Sequence, residues 1–201
     1  MRKRIFAQMI TLCLILCGCG GEQTPTLRAR YQNMRGCDMT ATVRCTEYGA
    51  PWEAVLRCGY VPDGERVVEV VSPESIAGVT VIFDGDSRQL QSDGRRLNAG
   101  RVSPEALSPA DALPAMMDAL RDGWTLEENA EEWNGVPCTR VTVDRTGAAG
   151  GKLFFTLWLK QSDGTPLRGE IAVEEQTVMT AEFTSFAFSD IMAEESAPGE
   201  G

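Results

Sequence analysis

The chain has 201 residues, with 19 basic and 29 acidic side chains and no histidine, so its formal net charge is −10 at pH 7. Such an acidic chain repels phosphate backbones and anionic headgroups, which argues against nucleic acid as a partner and against electrostatic docking on a membrane. Lacking histidine, it has no Ser-His or Cys-His nucleophile pair and lacks the commonest neutral metal ligand; no Gly-rich phosphate loop or Asp-x-Asp-x-Asp-Gly calcium loop occurs either. The expectation is a non-enzymatic protein without a cofactor or bound metal.

At the N-terminus, Arg2, Lys3 and Arg4 precede an apolar run from Ile5 to Leu16. The run has the length of a signal-peptide core and is shorter than the roughly 20 residues a membrane-spanning helix needs. Leu16 then stands three places before Cys19, and the small Gly18 immediately before it. This spacing resembles the lipobox of bacterial lipoproteins, and the resemblance implies cleavage after Gly18 and acylation of the Cys19 thiol. Cys17 fits less well, because Leu16 would occupy the place where a small side chain is required. Cys13 lies inside the apolar core and would be removed. A metal site is not expected here, since no second ligand pair follows downstream. Cleavage leaves 16 basic against 29 acidic residues, a mature charge of −13. Any membrane attachment must then come from the lipid.

Residues 19–23 form a short tether. Thr24 and Pro25 read as N-cap and first helical residue, and Leu27, Tyr31 and Met34 place one apolar stripe on a helix that stops at Gly36. From Cys37 to Thr46 the period becomes two, predicting a half-buried strand with Cys37, Met39, Ala41, Val43 and Cys45 inward. After "EYGAP", a second strand sets Trp52, Ala54, Leu56, Cys58 and Tyr60 on one face. "RVVEVV" is a third, and "VTVIFDGDSRQLQSDGRRL" reads as two short strands punctuated by Asp-Gly turns.

The segment Ser108–Trp124 interrupts the strands. Asp111 is read as its N-cap, Pro114 sits in the first turn, and Leu113, Met116, Met117 and Leu120 recur at helical spacing before Gly123. Glu127, Glu128, Glu131 and Glu132 read as a solvated charged run on a loop or helix. Strand patterns return in "GVPCTRVTVDR", "KLFFTLWLKQ", "LRGEIAVEE" and "VMTAEFTSFAF", and the small, acidic stretch from residue 190 to 201 is expected to be a disordered tail. Seven to nine strands joined by tight turns predict one antiparallel meander. Two helices are too few to cover a broad sheet from outside, so a curved sheet around them is the economical arrangement.

"TLWLKQSDGTPLRGEI" followed by "VMTAEFTSFAF" resembles the C-terminal hairpins of the LolA/LolB-like lipoprotein carrier superfamily, and "RVVEVVSPESIAGVTVIFDG" is similar to its strand, Ser-Pro loop, strand and Asp-Gly turn. The resemblance covers most of residues 25–188. It implies a mainly β (α+β) domain over 24–189: a single open, curved antiparallel half-barrel sheet with two or three short helices on the concave side. It further implies binding of a hydrophobic small molecule or a lipidated protein; together with the lipobox, the expectation is a monomer lipid-anchored at the extracytoplasmic face of the cell membrane. Candidate lining residues on the sheet are Trp52, Leu56, Val81, Phe83, Phe155, Leu157, Leu159, Met179 and Phe183. On the helix they are Leu113, Met116, Met117 and Leu120. The same side chains equally describe an ordinary packed core, with the protein acting as an envelope sensor or protein-binding module.

The thiols Cys37, Cys45, Cys58 and Cys138 are expected to be buried and unpaired. A tight "EYGAP" turn would pair residues whose numbers sum to about 99, so that Cys45 faces Ala54 and Cys58 faces Ala41, leaving the first-hairpin cysteines too far apart to bridge.

Replacing Cys19 with serine should release a soluble or unprocessed form. A Cys19→Ser protein that still partitions into the detergent phase in processed form would refute the anchor.

Overall fold

The computed structural model describes residues 26–46, 51–85, 87–101, 107–146 and 151–189. The expected signal peptide, the expected tether with Cys19, the residues Thr24 and Pro25 and the acidic tail lie outside the described residues. Eleven strands form one sheet in the spatial order β6-β5-β4-β3-β2-β1-β11-β10-β9-β8-β7, every neighbouring pair antiparallel. They are β1 (Cys37–Cys45), β2 (Trp52–Tyr60), β3 (Arg66–Ser72), β4 (Thr80–Asp84), β5 (Ser87–Ser92), β6 (Arg95–Arg101), β7 (Trp124–Trp133), β8 (Val136–Asp144), β9 (Leu153–Lys160), β10 (Pro166–Val173) and β11 (Gln176–Phe188). Two meanders, β1 to β6 and β7 to β11, meet where the first strand pairs with the last. The sheet stays open, with β6 and β7 as its edges.

Curvature has a local cause. Six of the ten strand pairings shift register once, for example between Thr40 and Ala41 opposite β11. Each such irregularity bends the strand and increases its twist. The bent sheet presents a concave face of alternate apolar residues, and two helices cover it. Helix α1 (Leu27–Gln32) is capped by Thr26, whose hydroxyl accepts from the Ala29 N–H at 3.3 Å. Tyr31 is fully buried and its hydroxyl donates to the Gly164 carbonyl, at 2.6 Å. Met34 packs on the core from beyond the helix end, so the apolar stripe persists although the helix stops at Gln32.

Helix α2 (Ala112–Asp122) is the main cover. Its underside, Leu113, Met116, Met117 and Leu120, is buried in one cluster with Met39, Leu56, Phe155, Leu157 and Met179. Glycine makes two of these approaches possible. A Cβ on Gly169 of β10 would stand 2.5 Å from the Met116 sulfur, so the bare backbone is the socket for that side chain. A Cβ on Gly123 would meet Val143 Cγ1 at 2.1 Å and the Ala119 carbonyl at 2.6 Å, so only glycine ends the helix this close to β8.

Four expectations need correction. Eleven strands are present rather than seven to nine; the unexpected β6 is polar and exposed, and an edge strand with little to bury shows no alternation. The glutamate run is neither loop nor helix but the other edge, β7, where Glu127 and Glu131 pair with Arg140 at 3.1 and 2.7 Å. The cap of α1 is Thr26 rather than Thr24, whereas Asp111 does stand at the N-cap of α2, its carboxylate turned back to Ser108 in a capping box at the head of the 3-10 turn Pro109–Asp111. In the first hairpin Cys45 faces Trp52 and Cys58 faces Met39. That is a two-residue slip from the expected register, and it leaves every side chain on its expected face. Cys37, Cys45, Cys58 and Cys138 are buried and free.

Gly123→Ala should overpack the helix end against β8 and cost roughly 1–3 kcal/mol in urea unfolding. Unchanged stability would mean that α2 is not held this closely.

Candidate functional site

Each end of α2 is fastened by ion pairs. At its start, the Arg88 Nη2 of β5 donates to both oxygens of Asp111, at 2.8 and 2.9 Å, while the Ser108 N–H and hydroxyl both donate to Asp111 Oδ2 at 2.6 Å. Asp111 is the buried acid of the core region, 3 % exposed, and these four contacts supply the bonds that a buried carboxylate requires. Midway, Asp118 receives the Tyr60 hydroxyl at 2.6 Å and Arg66 Nη1 at 3.0 Å, with Arg145 Nη1 at 3.8 Å. At the end, Arg121 Nη2 grips both Asp63 oxygens at 2.8 Å. Arg28 of α1 closes the far side, donating to the Gly123 carbonyl and, at 2.7 Å, to the Thr125 hydroxyl.

Between this helix and the β3–β4 side of the sheet lies a cleft of about 470 Å³. Phe83, Leu107, Pro114 and Ala115 form its apolar surface, and Asp63, Arg66, Asp111 and Asp118 its polar rim. The volume lies within the few hundred to a thousand Å³ of small-molecule sites. Each rim carboxylate already has an arginine partner, so the rim is close to charge-balanced.

Directly beneath α1 and the end of α2 the situation is different. The space bounded by Leu27, Tyr31, Leu120, Val141, Val143 and Leu159 amounts to about 10 Å³, no more than a single water needs. The structure brings the sequence-predicted lining residues together in one place. Leu56, Val81, Phe83, Leu113, Met116, Met117, Leu120, Phe155, Leu157, Leu159 and Met179 are buried in the common core, and Trp52 and Phe183 pack on its margin, partly buried. Of these, Phe83 also lines the open cleft. No sequence signal marks the cleft's remaining residues as its lining; Asp111 and Pro114 are legible only as helix-start residues. Arg88 and Asp111 are 23 positions apart, Tyr60 and Asp118 58 apart, and only the fold joins them.

Burial first, and then the hydrogen bond to Asp118, hold the Tyr60 phenol well above its ordinary pKa. Burial also pushes the Cys37 thiol up to about 12 and raises Cys58.

Neither a protein-family model nor a curated protein matches the chain. Solved structures match it in the course of the backbone. An outer membrane lipoprotein-sorting protein domain from Vibrio parahaemolyticus is 11 % identical, with 83 % of this chain and 91 % of that one covered at a TM-score of 0.45. A conserved protein from Thermus thermophilus is 12 % identical, with 82 % and 85 % covered at 0.47. A LolA superfamily protein from Nitrosomonas europaea is 10 % identical, with 83 % and 93 % covered at 0.43. The fold is one open antiparallel sheet with its helices on the concave side.

The raised pKa values set the alkaline behaviour. A folded pKa above the unfolded value contributes stability that is complete below the unfolded pKa and is lost as pH rises through the folded one. With unfolded thiols near 9 and unfolded phenols near 10, the melting temperature should fall steadily from about pH 9 towards 12. The slope above pH 10 should be shallower in Tyr60→Phe. A flat profile over that window would mean that these groups are not buried as described.

Proposed function

We propose that the protein is an extracytoplasmic lipoprotein, anchored to the cell membrane through Cys19, whose half-barrel takes up a hydrophobic ligand such as an acyl chain. The observation that supports this most is the position of the cleft. Its floor at Phe83, Pro114 and Ala115 adjoins the start of α2, the helix whose apolar underside covers most of the concave face. A chain entering there meets Leu113 and Met116 next, and lifting α2 would lengthen the cleft into the core.

The exchange is near balance energetically. Exposing Leu113, Met116, Met117 and Leu120 costs about 1.5–3 kcal/mol each, or roughly 6–12 kcal/mol together. A saturated chain of about 14 methylenes returns about 11 kcal/mol on burial, at about 0.8 per methylene. Methionine thioethers repack easily around such a guest. In this mechanism, ligand replaces helix as the cover of the sheet, while the ion pairs at Asp111 and Asp118 limit how far the helix moves.

A second reading has its own support: Leu113, Met116 and Met117 are completely buried and the space beneath the helices is filled. On that reading the domain is a sensor or protein-binding module with a permanent core.

Met117→Asp separates the two. If α2 is an exchangeable cover, the domain stays folded and binding of a fluorescent fatty-acid probe falls sharply. If the core is permanent, the buried charge costs several kcal/mol and the domain unfolds at markedly lower temperature. An unfolded variant beside a wild-type protein that binds no lipid probe would end the ligand reading.

A further inference from the structure

Trp124 is 74 % exposed and Leu126 52 % exposed, at the head of edge strand β7. Solvent-facing tryptophan beside leucine on so acidic a surface calls for an explanation, because single scattered apolar residues are ordinary whereas apolar surface gathered in one place is characteristic of contact sites. Their location supplies one. Thr125, between them, accepts from Arg28, and so does the Gly123 carbonyl just before them. Arg28 stands in the first turn of α1, only nine positions beyond Cys19. The seven Cα–Cα steps from Cys19 to Thr26 reach at most about 25 Å when fully extended. The exposed pair is therefore fastened to the segment that emerges from the anchor.

We infer that Trp124 and Leu126 are the point at which the domain touches the bilayer, seated in the interfacial layer of the same membrane that holds acylated Cys19; the inference rests on the anchor reading above. An indole has an apolar body and one N–H donor, which suits the headgroup boundary better than either water or hydrocarbon. Of the neighbouring acids, Glu127 is paired with Arg140, and the exposed Glu128 stands beside the small space under α1 that Arg28 also lines. Because the whole domain is strongly acidic, the contact is apolar in origin, and anionic lipid should weaken it. The α2 cleft is bordered by β3 and β4, on the opposite half of the sheet from this edge.

The test uses the mature, acylated chain in phosphatidylcholine vesicles whose acyl chains carry bromine, a contact quencher of indole emission, near the headgroup end or near the chain end. Wild-type emission should shift to the blue and be quenched, more by the shallow label than by the deep one, and less when phosphatidylglycerol is added. Trp124→Ser, a change at an exposed position, should lose both the shift and the quenching while still floating with the vesicles. Wild-type protein that floats but shows no quenching would overturn the membrane contact and leave the anchor standing. Protein that does not float would remove the anchor and the contact together. A blue shift that vanishes as protein is diluted at constant lipid would mean that a second copy covers Trp124, which also overturns the inference.

Discussion

The concave face of an open sheet must be covered, and the rest of this structure follows from that requirement. A closed barrel buries its interior by its own curvature, but here β6 and β7 remain unpaired edges, and the apolar residues of β1, β2, β9 and β11 would face water. Helix α2 supplies the cover with four apolar side chains on one stripe, and the backbone is pared to glycine where the fit is closest, at Gly123 and Gly169. Covering by short helices is a weaker solution than closure, since α2 has no core of its own on its outer side. Its position then depends on bonds made at its margins.

Those margins are polar. Asp111, Asp118 and Arg121 of the α2 segment reach Arg88, the Tyr60–Arg66 pair and Asp63, so ion pairs hold the helix along its length. Bonds of this kind are directional and position the helix, but they contribute less than its buried apolar face. The division of labour matters for function: the face sets how strongly the helix is held, and the margins set where it sits. On the ligand reading proposed above, a hydrophobic guest would compete for the first without breaking all of the second.

The convex face is organised by different means. Arg140 joins Glu127 and Glu131; Glu131 accepts from the Trp158 indole at 3.0 Å; Arg168 lies 4.7 Å from the Trp133 ring and pairs with Glu170 and Glu182; and Arg44 links Glu182 to Glu53. This ladder crosses the sheet from β7 to β2. Each half-exposed pair contributes little to stability, about 0–1 kcal/mol. Together they match charge to charge across adjacent strands, and a slipped strand would lose that match.

Periodicity is legible in residue order alone. The alternation in β1 and β2, the stripe on α2 and the Gly123 stop are all evident there, because a side chain's burial is written into its spacing along the chain. So, as an expectation, is the lipobox at Cys19, a signal read by processing machinery from local sequence. What residue order does not supply is partnership. A two-residue slip of the first hairpin keeps every apolar residue inward, so the pattern is equally content with Cys58 opposite Met39 or opposite Ala41. The strand β6 and the glutamates of β7 escape a reading by pattern because edge strands bury little and so lose the alternation that marks a strand. The cleft is hidden for a deeper reason. Phe83, Arg66, Asp111 and Asp118 come from separate elements, and their convergence depends on the curvature of the sheet and the seating of α2. Hydrophobic spacing determined which faces are buried; which groups meet was decided only by long-range packing.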